Sequence, residues 1–222
     1  TVHGLYLHEE QFGVTRYDRT LGGDGLNRSE FDPQRLDFAL LRYERAKTGF
    51  LEGLTATLSI NRQEDDRLEQ ARPTSPIERE RGRVTAFGYQ AQGTRPAGTS
   101  LFTFGGEVYD EYIGASREID TPLTGSRETV RPEIPDGARY TSAGLFAQNV
   151  SAFFAGRLSV RSGLRYGHFV FRTTEQPRFG IDAERVATDA LTFHTGVVVG
   201  LSPQVNLTAT ASRGFRAATA FA

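Results

Sequence analysis

Cysteine, methionine and tryptophan are absent from the chain. Without cysteine there is no disulfide, thiol nucleophile or thiolate metal site, a usage that fits an extracytoplasmic setting. No stretch of about 18 consecutive apolar residues occurs, which excludes a membrane-spanning helix. Charge of one sign is also lacking: 26 Lys and Arg against 27 Asp and Glu leave a formal charge of -1. That balance excludes the strongly basic footprint of a nucleic-acid binder. Nucleophile-elbow, His-Glu-x-x-His, Walker and dinucleotide-fingerprint motifs are all missing, so the residues call for no enzyme activity and no cofactor. The start at Thr1 carries neither a charged n-region nor an apolar h-region, so any signal peptide is expected to lie outside these residues.

What is abundant points one way. Glycine (24), phenylalanine (16) and tyrosine (8) are plentiful, yet only 38% of the 222 residues are hydrophobic, as expected for a wall that is apolar on a single face. Period-2 alternation recurs from end to end. In Leu54-Thr55-Ala56-Thr57-Leu58-Ser59-Ile60-Asn61 every apolar residue falls on one face and every hydroxyl or amide on the other. Leu158, Val160, Leu164, Tyr166 and Val170 oppose Ser159, Arg161, Gly163, Arg165 and Gly167 in the same way. So do Leu191, Phe193, Val197 and Val199 against Thr192, His194, Gly196 and Gly200. Val205, Leu207, Ala209 and Ala211 oppose Asn206, Thr208, Thr210 and Ser212. Aromatic content adds strands at residues 35–45, 83–92, 101–112 and 140–153.

Short and long connections alternate along the chain. Short ones fall at residues 47–53, 94–99, 155–156 and 202–204, and long polar ones at 13–33, 66–82, 114–139 and 174–188. An up-and-down meander then carries its tight turns on one rim and its long loops on the other, as outer-membrane barrels do. The fold class predicted is therefore all-β: an antiparallel, up-and-down transmembrane β-barrel segment of about nine strands. An odd strand number and a stop directly after a strand suggest a piece of a larger barrel, with residues 1–222 forming part of one barrel domain. A soluble β-sandwich is the plainer alternative, although it gives no reason to gather every long loop at one end.

Several segments are similar to those of a known family. Thr210-Ala211-Ser212-Arg213-Gly214-Phe215-Arg216-Ala217-Ala218-Thr219-Ala220-Phe221 resembles the S-R-G-F-R-A-P-x-x-x-[FL] segment of TonB-dependent outer-membrane receptors, with Ala218 where proline is usual. Ser142-Ala143-Gly144-Leu145-Phe146-Ala147-Gln148, followed by Arg157-Leu158-Ser159-Val160-Arg161-Ser162-Gly163-Leu164-Arg165-Tyr166, resembles a hairpin of the same receptors. Arg16-Tyr17-Asp18-Arg19, Asp32-Pro33-Gln34-Arg35 and Leu41-Arg42-Tyr43-Glu44 look like mid-barrel segments. The resemblance implies a barrel of about 22 strands in the bacterial outer membrane. Its lumen would be plugged by another domain of the same receptor, and import would be driven through TonB, contacted by a part not present here. The solute would be a ferric siderophore, haem or a similar bulky solute, an iron complex or another small molecule, and the other partner is outer-membrane lipid. A passive porin or adhesin-like barrel, and a soluble all-β binding module or carbohydrate-active enzyme, are the competing readings.

Candidate site residues follow from facing. Arg161 and Arg165, four residues apart on one strand and so on one face, are expected to project into the lumen with His194, joined by Arg213 and Arg216 on the following strand. Such arginines can guide an anionic metal complex, or form a salt-bridged lining that holds the plug. Glu64, Asp65 and Asp66, and Asp110 with Glu111, are placed where strands pass into outer loops, where clustered carboxylates can take a hard cation or simply form a solvated acidic rim. Tyr17 is an outer-loop candidate for contact with solute. Of the histidines His3, His8, His168 and His194, His194 has lumen parity as a possible haem ligand and His168 has lipid-face parity. No metal ligand set is assigned. Tyr6, Tyr17, Tyr109, Tyr112, Tyr140 and Tyr166, with Phe102, Phe104, Phe153, Phe154 and Phe169, are expected mainly in interfacial girdles.

Overall fold

The computed structural model describes residues 1–21 and 25–215. They form an 11-stranded antiparallel sheet with almost no helix. In chain order the elements are β1 (Val2–Gln11), β2 (Val14–Thr15), a four-residue helix α1 (Tyr17–Thr20), β3 (Arg28–Thr48), β4 (Leu51–Gln70), β5 (Ile77–Ala97) and β6 (Ser100–Thr121). Then come β7 (Ser126–Val130), β8 (Ala138–Phe153), β9 (Leu158–Arg172), β10 (Arg185–Ser202) and β11 (Val205–Arg213). Nine strands run side by side in the order β1-β3-β4-β5-β6-β8-β9-β10-β11, while β2 and β7 are short additions to β3 and β6. The predicted meander is therefore the observed one, and the sheet does not close on itself.

Residues directly opposite in antiparallel strands lie on the same side of the sheet, so the pairing register carries one facing from strand to strand. Val2, Tyr43, Ala56, Ala91, Gly106, Leu145, Tyr166 and Leu191 stand in one such row. One position along, Glu44, Thr55, Gln92, Gly105, Phe146, Arg165 and Thr192 make a row on the opposite face. The first face is the lipid side, where large side chains have no protein to pack against: Leu145 is 67% exposed and Leu164 52%. The second is polar and lines the lumen.

The apolar belt has a sharp outer edge. Along the lipid face the side chains change from Tyr6 to His8, Ala39 to Asp37, Ile60 to Arg62, Val108 to Asp110, Tyr166 to His168 and Leu191 to Asp189. Two copies of one arrangement mark this edge. The Tyr6 hydroxyl donates to Asp37 Oδ1 at 3.0 Å, and His8 Nδ1 lies 2.7 Å from the same oxygen. The Tyr166 hydroxyl donates to Asp189 Oδ1 at 2.5 Å, with His168 Nδ1 at 2.8 Å. Each keeps an interfacial phenol and its carboxylate satisfied where lipid gives way to water.

Four tight turns, at residues 49–50, 98–99, 154–157 and 203–204, lie on one rim as predicted. The other rim differs from expectation. Residues 66–82 and 114–139 are not mostly irregular loop: β4 and β5 run on to Gln70 and Ile77, and β6 runs to Thr121 with β7 folded back on it. A belt about 25 Å tall needs only about 10 residues of strand tilted about 40°, whereas β6 has 22. The remainder stands clear of the membrane, held by cross-strand pairs of opposite charge that the polar composition hides from a hydropathy pattern.

Glycines on the lumen face are roofed by rings from neighbouring positions. A Cβ added at Gly88 would meet the Tyr109 ring at 2.7 Å, one at Gly105 the Phe146 ring at 2.8 Å, and one at Gly167 the Phe169 ring at 2.9 Å. Tyr109, Tyr140 and Phe169 therefore belong to the lumen wall and not to the girdles, a facing set by the register of β6, β8 and β9. Lying flat on glycine, such rings shield the backbone without filling the lumen.

Replacing Leu164 with Arg is expected to destabilise the folded barrel in lipid by about 2–4 kcal/mol, and Thr192→Arg on the opposite face by much less. Equilibrium denaturant unfolding in bilayers measures both, and the reverse order would invert the facing.

Candidate functional site: the lumen wall and the outer mouth

Arg161, Arg165 and His194 all occupy the lumen face. Arg165 donates through Nη2 to Glu107 Oε1, reaching from β9 to β6 across Gly144 of β8. A Cβ on Gly144 would lie 3.4 Å from both that guanidinium and Glu107 Cγ, so glycine clears the path of the ion pair. Arg161 stands opposite Val150 and Gly196 with no acidic partner among the described residues, leaving its charge to face the lumen. His194 lies over Gly163, where an added Cβ would fall 2.3 Å from Cε1. Its ring is thus flattened against the wall by the neighbouring strand.

Arg213 is not in this group. It stands opposite Phe193, which in turn stands opposite Leu164, so the register puts it on the lipid face. The strand parity of β11, with Leu207, Ala209 and Ala211 outward, requires this. Arg216 lies outside the described residues.

Of the outer-loop candidates only Tyr17 lies in a connection between strands, 68% exposed on the short helix α1. Glu64, Asp65 and Asp66 lie within β4, and Asp110 and Glu111 within β6. Because neighbours on a strand point to opposite faces, neither run converges on a point. Glu64 faces outward, 3.0 Å from Arg83, and Asp66 outward, 3.4 Å from Arg81. Asp65 turns inward opposite Gln34 and Gly82. Asp110 faces outward and accepts from Arg139 Nε at 2.7 Å and Nη2 at 2.6 Å, while Glu111 faces inward opposite Tyr140. Among the described residues no group of three or more His, Asp or Glu is placed to hold a metal ion.

A larger constellation lies above the lumen. On the inward face beyond the belt, Arg67 stands opposite Glu80, and Glu80 opposite Arg117, while Glu69 stands opposite Glu78. Arg67 Nη2 donates to Glu80 Oε2 at 2.6 Å and to Glu133 Oε1 at 3.0 Å. The backbone N–H of Glu133 donates to Glu80 Oε1 at 2.9 Å, and Arg117 donates to Glu78. Glu69 accepts from the fully buried Ser29 at 3.2 Å and is flanked by Arg16 at 3.7 Å and Arg19 at 3.5 Å. The facing Glu69 and Glu78 carboxylates are thereby offset by the guanidinium groups of Arg16, Arg19 and Arg117. Three outer connections are tied together: the segment with α1, the β4–β5 hairpin, and residues 122–137. On β7, outside the membrane, the hydrogen bond to Asp120 holds the Arg127 guanidinium above its ordinary pKa. Sequence inspection passed over this mouth network, yet its signal is legible: Arg67 and Glu69, then Glu78 and Glu80, alternate at period 2 like residues of a strand.

Arg67→Gln is expected to raise amide hydrogen exchange around Glu133 by a factor of about five, equivalent to about 1 kcal/mol for the lost anchor. Exchange in the belt portion of β9 should stay unchanged; a uniform rise across both would show that the network is not local.

Comparison with known proteins agrees with this architecture. Residues 4–222 match the family model described as "TonB dependent receptor-like, beta-barrel". No curated protein matches the chain. Among solved structures it is similar to the copper transporter OprC, at 14% identity and TM-score 0.70, covering 83% of this chain and 30% of that one. The FrpB iron transporter from Neisseria meningitidis is similar at 14% identity and TM-score 0.61, covering 95% and 32%. The ferric citrate transporter FecA in its unliganded form is similar at 14% identity and TM-score 0.63, covering 95% and 33%. The chain thus spans about a third of those proteins, and at this identity the likeness is one of fold. With a two-faced antiparallel sheet, tight turns on one rim, and a family match over residues 4–222, the chain belongs to the TonB-dependent receptor β-barrel family of the bacterial outer membrane.

Proposed function

We propose that all 222 residues are part of one barrel domain, and that the receptor containing them actively imports a bulky, anionic metal complex, a ferric siderophore or haem. The observation that carries this reading is the lumen face itself: a polar wall bearing Arg161 and Arg165 beneath a mouth ringed by paired charges. An open sheet covering about a third of each similar transporter supports a larger barrel around the same lumen. In this mechanism the mouth loops, with Tyr17 exposed among them, capture the solute. The lumen arginines then draw its negative charge inward, where a guanidinium can offer a carboxylate or catecholate two parallel N–H donors.

Passage needs the lumen to be opened, so a plug domain of the same receptor and energy delivered through TonB are part of the proposal. The printed names of the similar structures support metal-linked solutes as a class, since they carry copper, iron and ferric citrate. Haem is the narrower alternative within that class; His194, held flat over Gly163, would have to swing off the wall to ligate iron.

Uptake of radiolabelled iron by cells carrying the intact receptor is the test, with ferric siderophores and haem supplied separately. Uptake of one class that stops when the receptor gene or TonB is removed, and falls at least tenfold in Arg161→Glu/Arg165→Glu, is the expected result. Entry that persists without TonB would make this a passive pore, and unchanged uptake in the double variant would remove the arginines from the pathway.

A further inference from the structure

The lipid face of β8, β9 and β10 holds a polar row where hydrocarbon is the only solvent. Asn149 stands opposite Ser162, and Ser162 opposite Thr195, all three outward by the register that puts Leu164 outward. On β9, Ser162 lies four residues above Leu158, at the inner end of the strand, and six below His168, at the outer edge of the apolar belt. At about 3.3 Å per residue on a strand tilted about 40°, it sits about 10 Å from the first level and about 15 Å from the second. Val160 and Val197 flank the row on one side and Leu164 and Phe193 on the other, so it interrupts the belt and does not end it.

A chain of side-chain hydrogen bonds climbs to this row and stops there. The Ser100 and Ser151 hydroxyls are 2.7 Å apart, and Ser151 Oγ donates to Asn149 Oδ1 at 2.6 Å. Asn149 Nδ2 has no hydrogen-bond partner among the described residues. Turned end for end, the amide would orphan its oxygen instead. Ser162 and Thr195 are exposed, and their hydroxyls make no hydrogen bond among the described residues. Beside the row lies a groove of about 410 Å³, with Ala147 on its floor, Phe102 and Phe104 along one side and Phe193 along the other.

An acyl chain would fill the groove and leave the amide unpaired, and bulk water does not reach this depth. Both needs are met by a partner that carries hydrogen-bonding groups into the hydrocarbon at the same height. A second copy does so by construction, since every copy has the same orientation and depth in the membrane. A twofold axis along the membrane normal brings the row against itself, Asn149 facing Asn149. Amides and hydroxyls both donate and accept, so such a row is complementary to its own image. The Asn149 side chain is half-buried, and rotation about its broad terminal torsion presents the free end of the amide outward. We infer that the Asn149–Ser162–Thr195 row and the groove beside it form the interface of a receptor dimer within the membrane. The interface lies on the outer side of the wall and is independent of the solute that the lumen carries.

The intact receptor, labelled separately with donor and acceptor dyes and mixed in vesicles of increasing lipid content, tests this by energy transfer. Association that persists on dilution is expected, weakened about tenfold in Asn149→Leu, as for the loss of a hydrogen bond made in lipid. Thr195→Val, which removes only a hydroxyl, should weaken it in the same direction, and neither monomer should melt lower than the parent. Ser162→Cys should give a covalent dimer with a short bis-maleimide, whereas Leu58→Cys, outward on β4 and away from the row, should not. Monomers at every lipid ratio, undiminished association in both variants, or equal cross-linking at the two cysteines would overturn the proposal. Cross-linking of Ser162→Cys to a different protein in outer-membrane extracts, with no receptor dimer formed, would overturn it as well.

Discussion

The backbone hydrogen-bond ladder is the constraint on which everything else rests. Inside lipid no water can satisfy an amide or a carbonyl, so each spanning strand must be paired along its length by neighbours on both sides. That requirement fixes the register of β1 through β11, and the register in turn dictates what faces lipid and what faces the lumen. Once Leu164 is outward, Arg165 is inward, and the row across it follows to Glu44 five strands away. Side-chain chemistry then only has to agree with a geometry that the backbone has imposed.

Two consequences distinguish this wall from a sheet in a soluble core. Its large apolar side chains are exposed, because their solvent is the acyl chain, and its polar face is kept open by rings laid flat on glycine. Beyond the belt the same strands continue in water, where cohesion passes from hydrophobic matching to charge pairs. The network of Arg67, Glu80 and Glu133 belongs to that aqueous region, and so do the outward pairs of Arg83 with Glu64 and Arg139 with Asp110. Individually such exposed pairs contribute little, about 1 kcal/mol or less; as a ladder they keep strands in register far above the membrane.

The belt was legible in the sequence because lipid enforces strict alternation: Leu54 to Asn61, Leu158 to Arg165 and Val205 to Ser212 all read correctly. The extramembrane extensions were not, since with water on both faces the alternation is one of charge against charge, and segments such as 66–82 then resemble polar loop. The same cause misplaced Glu64, Asp65, Asp66, Asp110 and Glu111, which are adjacent in sequence but divided between two faces by the strand. Arg213 was misassigned to the lumen although its own parity with Leu207, Ala209 and Ala211 already set it outward. The facing of Arg161, Arg165 and His194 was legible, but their surroundings were not, because Glu107 and Gly163 come to them from other strands.

The central claim is the two-faced wall, and these 222 residues contain no cysteine to compete with a label placed among them. Single cysteines placed from Leu158 to Arg172 in the intact receptor, spin-labelled and reconstituted in bilayers, report collisions with oxygen from lipid and with a water-soluble nickel chelate from the lumen. A period-2 alternation is predicted, with oxygen favoured at positions 160, 164 and 166 and the chelate at 159, 161, 163 and 165. The opposite phase, or no alternation, would contradict the account.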